Sequence, residues 1–343
     1  MEETVNRLRE TNDLDDEALL YLIQNDECNS ILFKHADSVR REIYGDKVYI
    51  RGLIELTNYC KNNCLYCGIR RDNKSVGRYR LSKEQVLLCC EQGYELGFRT
   101  FVMQGGEDPY FSDDVLCDII SDIKNKYPDC AVTLSLGERS RESYKLLFKA
   151  GADRYLLRHE TADKAHYEKL HPNDMSFDNR IKCLYDLKET GFQVGAGFMV
   201  GSPFQTYENI IADLRFLQKL KPHMVGIGPF ISHCQTPFAG YKNGDTFVTL
   251  RLLSIIRLML PNVLLPSTTA LSTIHPDGRI LGLKAGANVV MPNLSPKNFR
   301  SLYSLYDGKA AFGAESAQEL EKLKEIVSKA GYSVCVDRGD VKK

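Results

Sequence analysis

Three cysteines fall within eight positions of the stretch LTNYCKNNCLYCGIRR, residues 56 to 71: Cys60, Cys64 and Cys67, spaced C-x3-C-x2-C. Thiolates ligate soft and borderline metals. A zinc site would need a fourth cysteine or histidine, and no neighbouring C-x2-C pair supplies one. A cubane of four irons and four sulfides takes one thiolate per iron, so three thiolates would leave one iron open to a chelating small molecule. The other eight cysteines, at 28, 89, 90, 117, 130, 183, 234 and 335, are scattered and mostly sit in apolar runs such as EQVLLCCEQGYELG. They read as small buried hydrophobes, not as a disulfide framework. Cys28, Cys234 and Cys335 each stand without a cysteine neighbour.

The elements that must position the triplet follow from hydrophobic period. Residues 1–45 read as helices, with an acidic first turn in DLDDEALLYLI and a closing glycine after CNSILFKHADSVRREIY. From about residue 47 the period changes. Short β-rich runs (KVYIRGLIELT, TFVMQ, AVTLSL, RYLLR, QVGAGFMV, MVGIG, NVLLP, NVVMP) alternate with amphipathic segments, the pattern of βα units and a parallel sheet. Helices are expected over SKEQVLLCCEQGYELG, with a capping box at Ser82 and Gln85, over SFDNRIKCLYDLKETG and over TYENIIADLRFLQKL. Eight such runs predict an α/β fold, a (β/α)8 TIM barrel over 46–310, with an N-terminal helical segment (1–45) and a C-terminal helical extension (311–343) packed on it. A six-stranded partial barrel is the alternative. In either, chemistry belongs at the carboxyl ends of the strands, which here carry the cysteines, QGGEDPY, SLGE, LLRHET, MVGSP, GIGPF, PSTTA and MPN.

Composition bounds the partners. Lys plus Arg and Asp plus Glu are both 45, so no global basic field invites nucleic acid. The opening MEETVNRLRETNDLDDEALL lacks the basic-then-apolar order of a secretory signal, and no window approaches a membrane span. A cytoplasmic protein with no membrane or nucleic-acid partner is expected.

The cysteine loop resembles that of the radical S-adenosylmethionine (SAM) superfamily. The resemblance implies one 4Fe-4S cluster with an open iron that chelates SAM and cleaves it reductively to a 5'-deoxyadenosyl radical. Tyr66, directly before Cys67, matches an aromatic that the superfamily sets against adenine. QGGEDPY resembles the superfamily's GGE element, which assigns Gly105, Gly106 and Glu107 to the methionine amino group; alone, such a sequence is an ordinary turn. Ser135, Glu160 and Arg180 match positions that contact the ribose and the methionine carboxylate, roles that suit a carboxylate facing hydroxyls and a guanidinium facing a carboxylate. A helix ion pair would be the plainer account of Arg180.

Over nearly its whole length the chain also resembles the HydE-type maturases of FeFe-hydrogenase, through CLYCGIRRDNK, GEDPY, AVTLSLGE, AGADRYLLRHETA, MVGIGPF and GANVVMPN. That resemblance implies a part in building the azadithiolate bridge of the hydrogenase cluster, from a cysteine-ligated iron complex carrying carbon monoxide and cyanide. It further implies transient contact with a HydG-type maturase and with a reductant such as ferredoxin or flavodoxin. Carried over by position, Arg154, Arg158, Thr268 and Thr269 would face the cavity as anion-binding groups. Met224 would line it, with Tyr303, Tyr306 and Met291 as the residues nearest the chemistry. Both methionines would equally serve as barrel filling. Some family members carry an auxiliary cluster near the C-terminal segment, whereas YDGKAAFGAESAQELEKL has no cysteine, so none is expected here. Other readings are a methylornithine synthase (lysine mutase), a biotin-synthase-like sulfur inserter, which should add cluster cysteines along inner strands, and a non-catalytic iron–sulfur scaffold.

Overall fold

Apolar stripes, with acidic first turns in the first two, give three helices before the first strand: α1 (Glu2–Thr11), α2 (Asp16–Gln24) and α3 (Asn29–Tyr44). Asp15 caps α2 by accepting from the Ala18 N–H. α3 stops at Gly45, whose φ is +64°. Their inner faces, including Val5, Leu8, Leu22 and Leu32, join the main apolar core. The structure, a computed structural model, describes residues 1–309 and 315–342.

Strands and helices then alternate as the period predicts. The strands are β1 (Lys47–Ile50), β2 (Gly52–Thr57), β3 (Thr100–Gly105), β4 (Ala131–Ser135), β5 (Arg154–Leu156), β6 (Gln193–Ala196), β7 (Met199–Val200), β8 (Met224–Val225), β9 (Gly228–Pro229), β10 (Val289–Val290) and β11 (Ser333–Cys335). Between them run α4 (Lys83–Glu95), α5 (Asp113–Lys126), α6 (Arg141–Lys149), α7 (Lys164–Leu170), α8 (Phe177–Thr190), α9 (Tyr207–Leu220), α10 (Thr246–Met259), α11 (Thr269–Ile274), α12 (Gly278–Lys284), α13 (Lys297–Arg300) and α14 (Leu320–Lys329). The capping box expected at Ser82 and Gln85 is formed, and Ser176 caps α8, which ends in a left-handed Gly191.

β2, β3, β4, β5, β6 and β8 pair in that order, every pair parallel. β1 lies parallel between β10 and β11. Single parallel bridges, Met224 to Leu264, Pro266 to Val289 and Asn293 to Leu53, carry the pairing on through residues 262–266 and back to β2. The expected strand at 262–266 makes bridges only, because proline at 261 and 266 removes a ladder donor at each end. The first expected strand divides at Arg51 into β1 and β2, and the fifth and sixth break at Gly197 and Gly226, so that β7 and β9 pair separately. The middle of β3, Phe101 to Met103, is buried throughout, as in a parallel sheet covered on both faces.

After α14 the chain returns as β11, and residues 338–340 cross the amino ends of the strands. Thr100 Oγ1 and Arg154 Nη2 both donate to the Arg338 carbonyl at 2.7 Å, and Gln193 Nε2 donates to Asp340 Oδ1 at 2.8 Å. These three are the first residues of β3, β5 and β6. The boundary expected at 310/311, and part of the cysteine-free segment 306–323, lie outside the described residues. No described helix is long and apolar enough to cross a membrane.

Candidate active site

β2 delivers the cysteine loop, and a set of buried polar contacts fixes its course. Asn58 spans it, donating to the carbonyls of Gly77 and Leu302 at 2.8 Å while its Oδ1 accepts from the Tyr79 N–H at 2.8 Å. The Arg78 guanidinium donates to the carbonyls of Ile69, Arg70 and Asn73 at 2.7 to 3.0 Å, tying the far end of the loop into a ring. These bonds satisfy carbonyls that no strand or helix reaches.

Cys60, Cys64 and Cys67 are all free thiols, and all three line one cavity of about 360 Å³ at the carboxyl ends of the strands. Burial raises the Cys60 thiol. It raises Cys64 well above the thiol range, aided by the negative charges that Cys67 and Cys60 would carry, and pushes Cys67 up to about 12. At neutral pH the three are therefore protonated, and a metal that takes them as thiolates must displace their protons. The donor set fits an iron–sulfur cluster: three sulfurs from one loop, at the wall of a chamber large enough for a small ligand beside it.

The GGE segment seats against this loop. The Gly106 N–H donates to Thr57 O at 3.3 Å, and a Cβ at 106 would come within 2.2 Å of Tyr59 O and 2.7 Å of Cys60 Cβ, so only glycine fits there. The Glu107 carboxylate turns under Gly137, accepts from the Glu138 N–H at 3.0 Å, and pairs with Lys61 at 3.3 Å. Arg180, from α8, is buried between Glu138 (Nε to Oε1, 2.6 Å) and Glu107 (4.0 Å). Burial works against its charge, yet these carboxylates hold its pKa well above the ordinary guanidinium value. Arg158 pairs with Glu160 at 3.2 Å. Glu160 has a φ of +67°, a strained conformation for a side-chain-bearing residue, held by its N–H to Gly197 O and its carbonyl to the Met199 N–H. Arg158 Nη2, Glu160 Oε2, Arg180 Nε and Glu138 Oε1 are buried and make no well-aligned hydrogen bond among the described residues. These four atoms are the two halves of the ion pairs just described, held by charge at 3.2 and 2.6 Å without hydrogen-bond alignment.

Tyr66 is held by a 3.1 Å hydrogen bond to His171 Nε2, and Tyr167 stacks on that imidazole at 3.9 Å. Burial lowers His171 to about 3, so it stays neutral. Elsewhere along the cavity Tyr303 OH accepts from Gln104 Nε2 at 3.3 Å, Thr269 Oγ1 donates to Glu315 at 2.7 Å, and Thr268 Oγ1 has no partner among the described residues.

Every residue expected at the site lines this cavity except Arg154. The expectation for Arg154 is corrected: four residues before Arg158 on an extended chain puts it about 13 Å lower. There its guanidinium reaches Thr100 Oγ1 at 3.0 Å and Asp340 at 2.5 Å. The reading of all eight other cysteines as buried is also corrected: Cys234 is exposed, and Cys117 and Cys335 are half-buried. Sequence reasoning missed Glu55, Gln104, Lys309 and Glu138. Glu55 is fully buried, accepts from Asn293 Nδ2 at 2.9 Å and pairs with Lys309, which also donates to Tyr303 O at 3.0 Å. A carboxylate inside the apolar run LIELT was the available signal; Lys309 offered none.

A model of the radical SAM superfamily matches residues 54–217, the span that holds the cysteine loop, the GGE segment and Arg180. The FeFe hydrogenase maturase subunit HydE of Thermotoga maritima is 51% identical over 281 residues, 82% of this chain and 80% of that protein. The chain belongs to the HydE family of radical SAM enzymes. The 3-methylornithine synthase of Methanosarcina acetivorans is 28% identical over 92% of the chain and 87% of its own length. Among solved structures, a methylornithine synthase superposes with a TM-score of 0.86 at 26% identity, covering 97% of both chains. The maturase HydG superposes with a TM-score of 0.80 at 21% identity over 97% of this chain and 75% of its own, a likeness of fold. Membership of the family implies a 4Fe-4S cluster and SAM, and the three thiols and the chamber described above are compatible with both.

Proposed function

We propose that Cys60, Cys64 and Cys67 hold one 4Fe-4S cluster with an open iron, that SAM sits against it, and that the enzyme acts in FeFe-hydrogenase assembly. Its substrate would be an iron-cysteinate complex bearing carbon monoxide and cyanide, and its product a precursor of the azadithiolate bridge. The observation that carries this reading is that one cavity is lined by all three thiols, by Arg158 and Arg180, and by Tyr303 and Tyr306. When bound and reduced, the cluster supplies the electron that cleaves SAM to methionine and a 5'-deoxyadenosyl radical.

The chain's own residues bind and orient. The backbone at Gly105, Gly106 and Glu107 receives the methionine amino group, Arg180 takes its carboxylate through donors that Glu138 and Glu107 leave free, and Ser135 and Glu160 address the ribose. Tyr66 packs along the adenine, held at its hydroxyl by His171. Arg158, Thr268 and Thr269 offer donors to the anionic substrate, with Met224, Met291, Tyr303 and Tyr306 walling it from water. The pairings from β1 to β10 support a closed (β/α)8 barrel over 46–310, with 1–45 and 311–343 packed outside. Contact with a HydG-type maturase and with a ferredoxin or flavodoxin belongs to the same proposal, as does a reducing, cytoplasmic setting that keeps eleven thiols free.

The test is product analysis. Reconstituted, reduced enzyme given SAM and the iron-cysteinate complex should yield 5'-deoxyadenosine or an adenosylated adduct that depends on the complex, and should leave lysine untouched. Conversion of lysine to methylornithine would replace this reading with the mutase, whose solved structure superposes closely.

A further inference from the structure

Cys234 has no cysteine near it in sequence, yet the fold gives it two metal-binding neighbours. It follows His233 in the loop after β9, and Asp307 arrives from 73 residues further along. One ligand atom from each of His233, Cys234 and Asp307 lies within 4.8 Å of the others. We propose that these three residues bind a single divalent ion of the zinc class, at a site separate from the cysteine triplet.

The chemistry of the three donors favours such an ion. Imidazole nitrogen, thiolate and carboxylate are the three ligand types that zinc takes, and three protein ligands with an open fourth position for water is a recurrent zinc arrangement. A thiolate and a carboxylate side by side repel each other, and a dication neutralises both. The Gln235 N–H donates to His233 Nδ1 at 3.1 Å, which leaves the proton on Nε2; an ion taken at Nδ1 displaces that N–H from the lone pair. That same Nδ1 lies 3.9 Å from Asp307 Oδ1.

The three donors also differ usefully in freedom. His233 is buried, its ring packed over Gly68, the residue after Cys67. Asp307 is tethered at its backbone, whose N–H donates to Ser232 O at 3.0 Å, and at Oδ2, which accepts from the Cys234 N–H at 2.8 Å. Its Oδ1 makes no hydrogen bond among the described residues, and remains for the ion. Cys234 and Asp307 are exposed, so the ion reaches the site from solvent and small side-chain rotations close the coordination. An ion there would pin the stretch that bears Tyr303, Tyr306 and Lys309, all on the cavity wall, to the loop beside Gly68.

Holoenzyme reconstituted with its cluster, and freed of loose metal on a chelating resin, is titrated with Zn²⁺ alone. Two readouts are taken: bound zinc per chain, and the alkylation rates of Cys234 and Cys335 by peptide mass spectrometry. The expected result is one zinc per chain and a Cys234 alkylation rate cut at least tenfold, with Cys335 unchanged. Cys234→Ser and Asp307→Asn should each weaken zinc binding by more than about tenfold, with iron content unaltered. Zinc that leaves Cys234 alkylation unchanged, binding that keeps wild-type affinity in Asp307→Asn, or no bound zinc would each overturn the proposal.

Discussion

Arg158 and Arg180 open onto the same cavity but answer to different partners: Arg158 pairs with Glu160, and Arg180 is held between Glu138 and Glu107 beside the GGE segment. Arg158→Ala should keep SAM cleavage and weaken the iron-cysteinate substrate by about 2 kcal/mol, roughly thirtyfold in its KM, whereas Arg180→Ala should raise the KM for SAM. Measuring both constants in both variants checks the division, and equal defects would refute it. Cys64→Ala should abolish 5'-deoxyadenosine formation, while Cys89→Ala, a packing change on α4, should retain it. His171 adds a pH signature. Its folded pKa of about 3 lies below its ordinary 6.5, so the unfolded chain takes up a proton that the folded one refuses. Stability from this residue is present above 6.5 and falls as pH drops toward 3. Urea midpoints across that window should show a shallower slope in His171→Gln. The triplet was legible in the sequence because its spacing is local. Glu55 and Lys309 were not, because they stand 254 residues apart and meet only when the strand ends converge.

At the scale of elements, the helices were the most legible part, since each carries its own start signal: Ser82, Ser176 and Thr206 all cap where the sequence placed a polar residue before an apolar stripe. Strands were legible as runs but not as ladders. Pairing depends on neighbours distant in sequence, so the runs alone did not show which strands would meet; the local breakers, prolines at 261 and 266 and Gly197 and Gly226, mark where 262–266 is reduced to bridges and where β7 and β9 pair apart. The seam between the cysteine loop and the GGE turn is the contact on which the site depends most. Gly106→Ala would set a methyl group against Tyr59 O and Cys60 Cβ, so one of the two loops must move. The variant should fold with ordinary helical content and lose most of its cluster iron on reconstitution, as read by iron analysis against protein concentration.

Across the whole molecule, the cavity occupies the carboxyl ends of the strands and the C-terminal tail closes their amino ends. Arg154 and Arg51 are buried there, and burial lowers both guanidinium pKa values despite the opposing pull of Asp340. Asp340→Ala should therefore lower the unfolding free energy read from chemical denaturation by roughly 2 to 3 kcal/mol, somewhat less than loss of a fully buried partner because Asp340 is partly exposed, and leave the KM for SAM unchanged. No sequence signal announced this role for the tail, since Asp340 and Arg154 lie 186 residues apart. On the proposed function, the triplet holds one cluster whose open iron SAM chelates in this cavity. Electron paramagnetic resonance of the reduced, reconstituted holoenzyme, with and without SAM labelled with ¹⁵N at its amino group, tests it most directly. About four irons per chain, one spin-half signal that SAM shifts, and hyperfine coupling to the label are predicted. A signal that SAM leaves unmoved, with no coupling to the label, would contradict it.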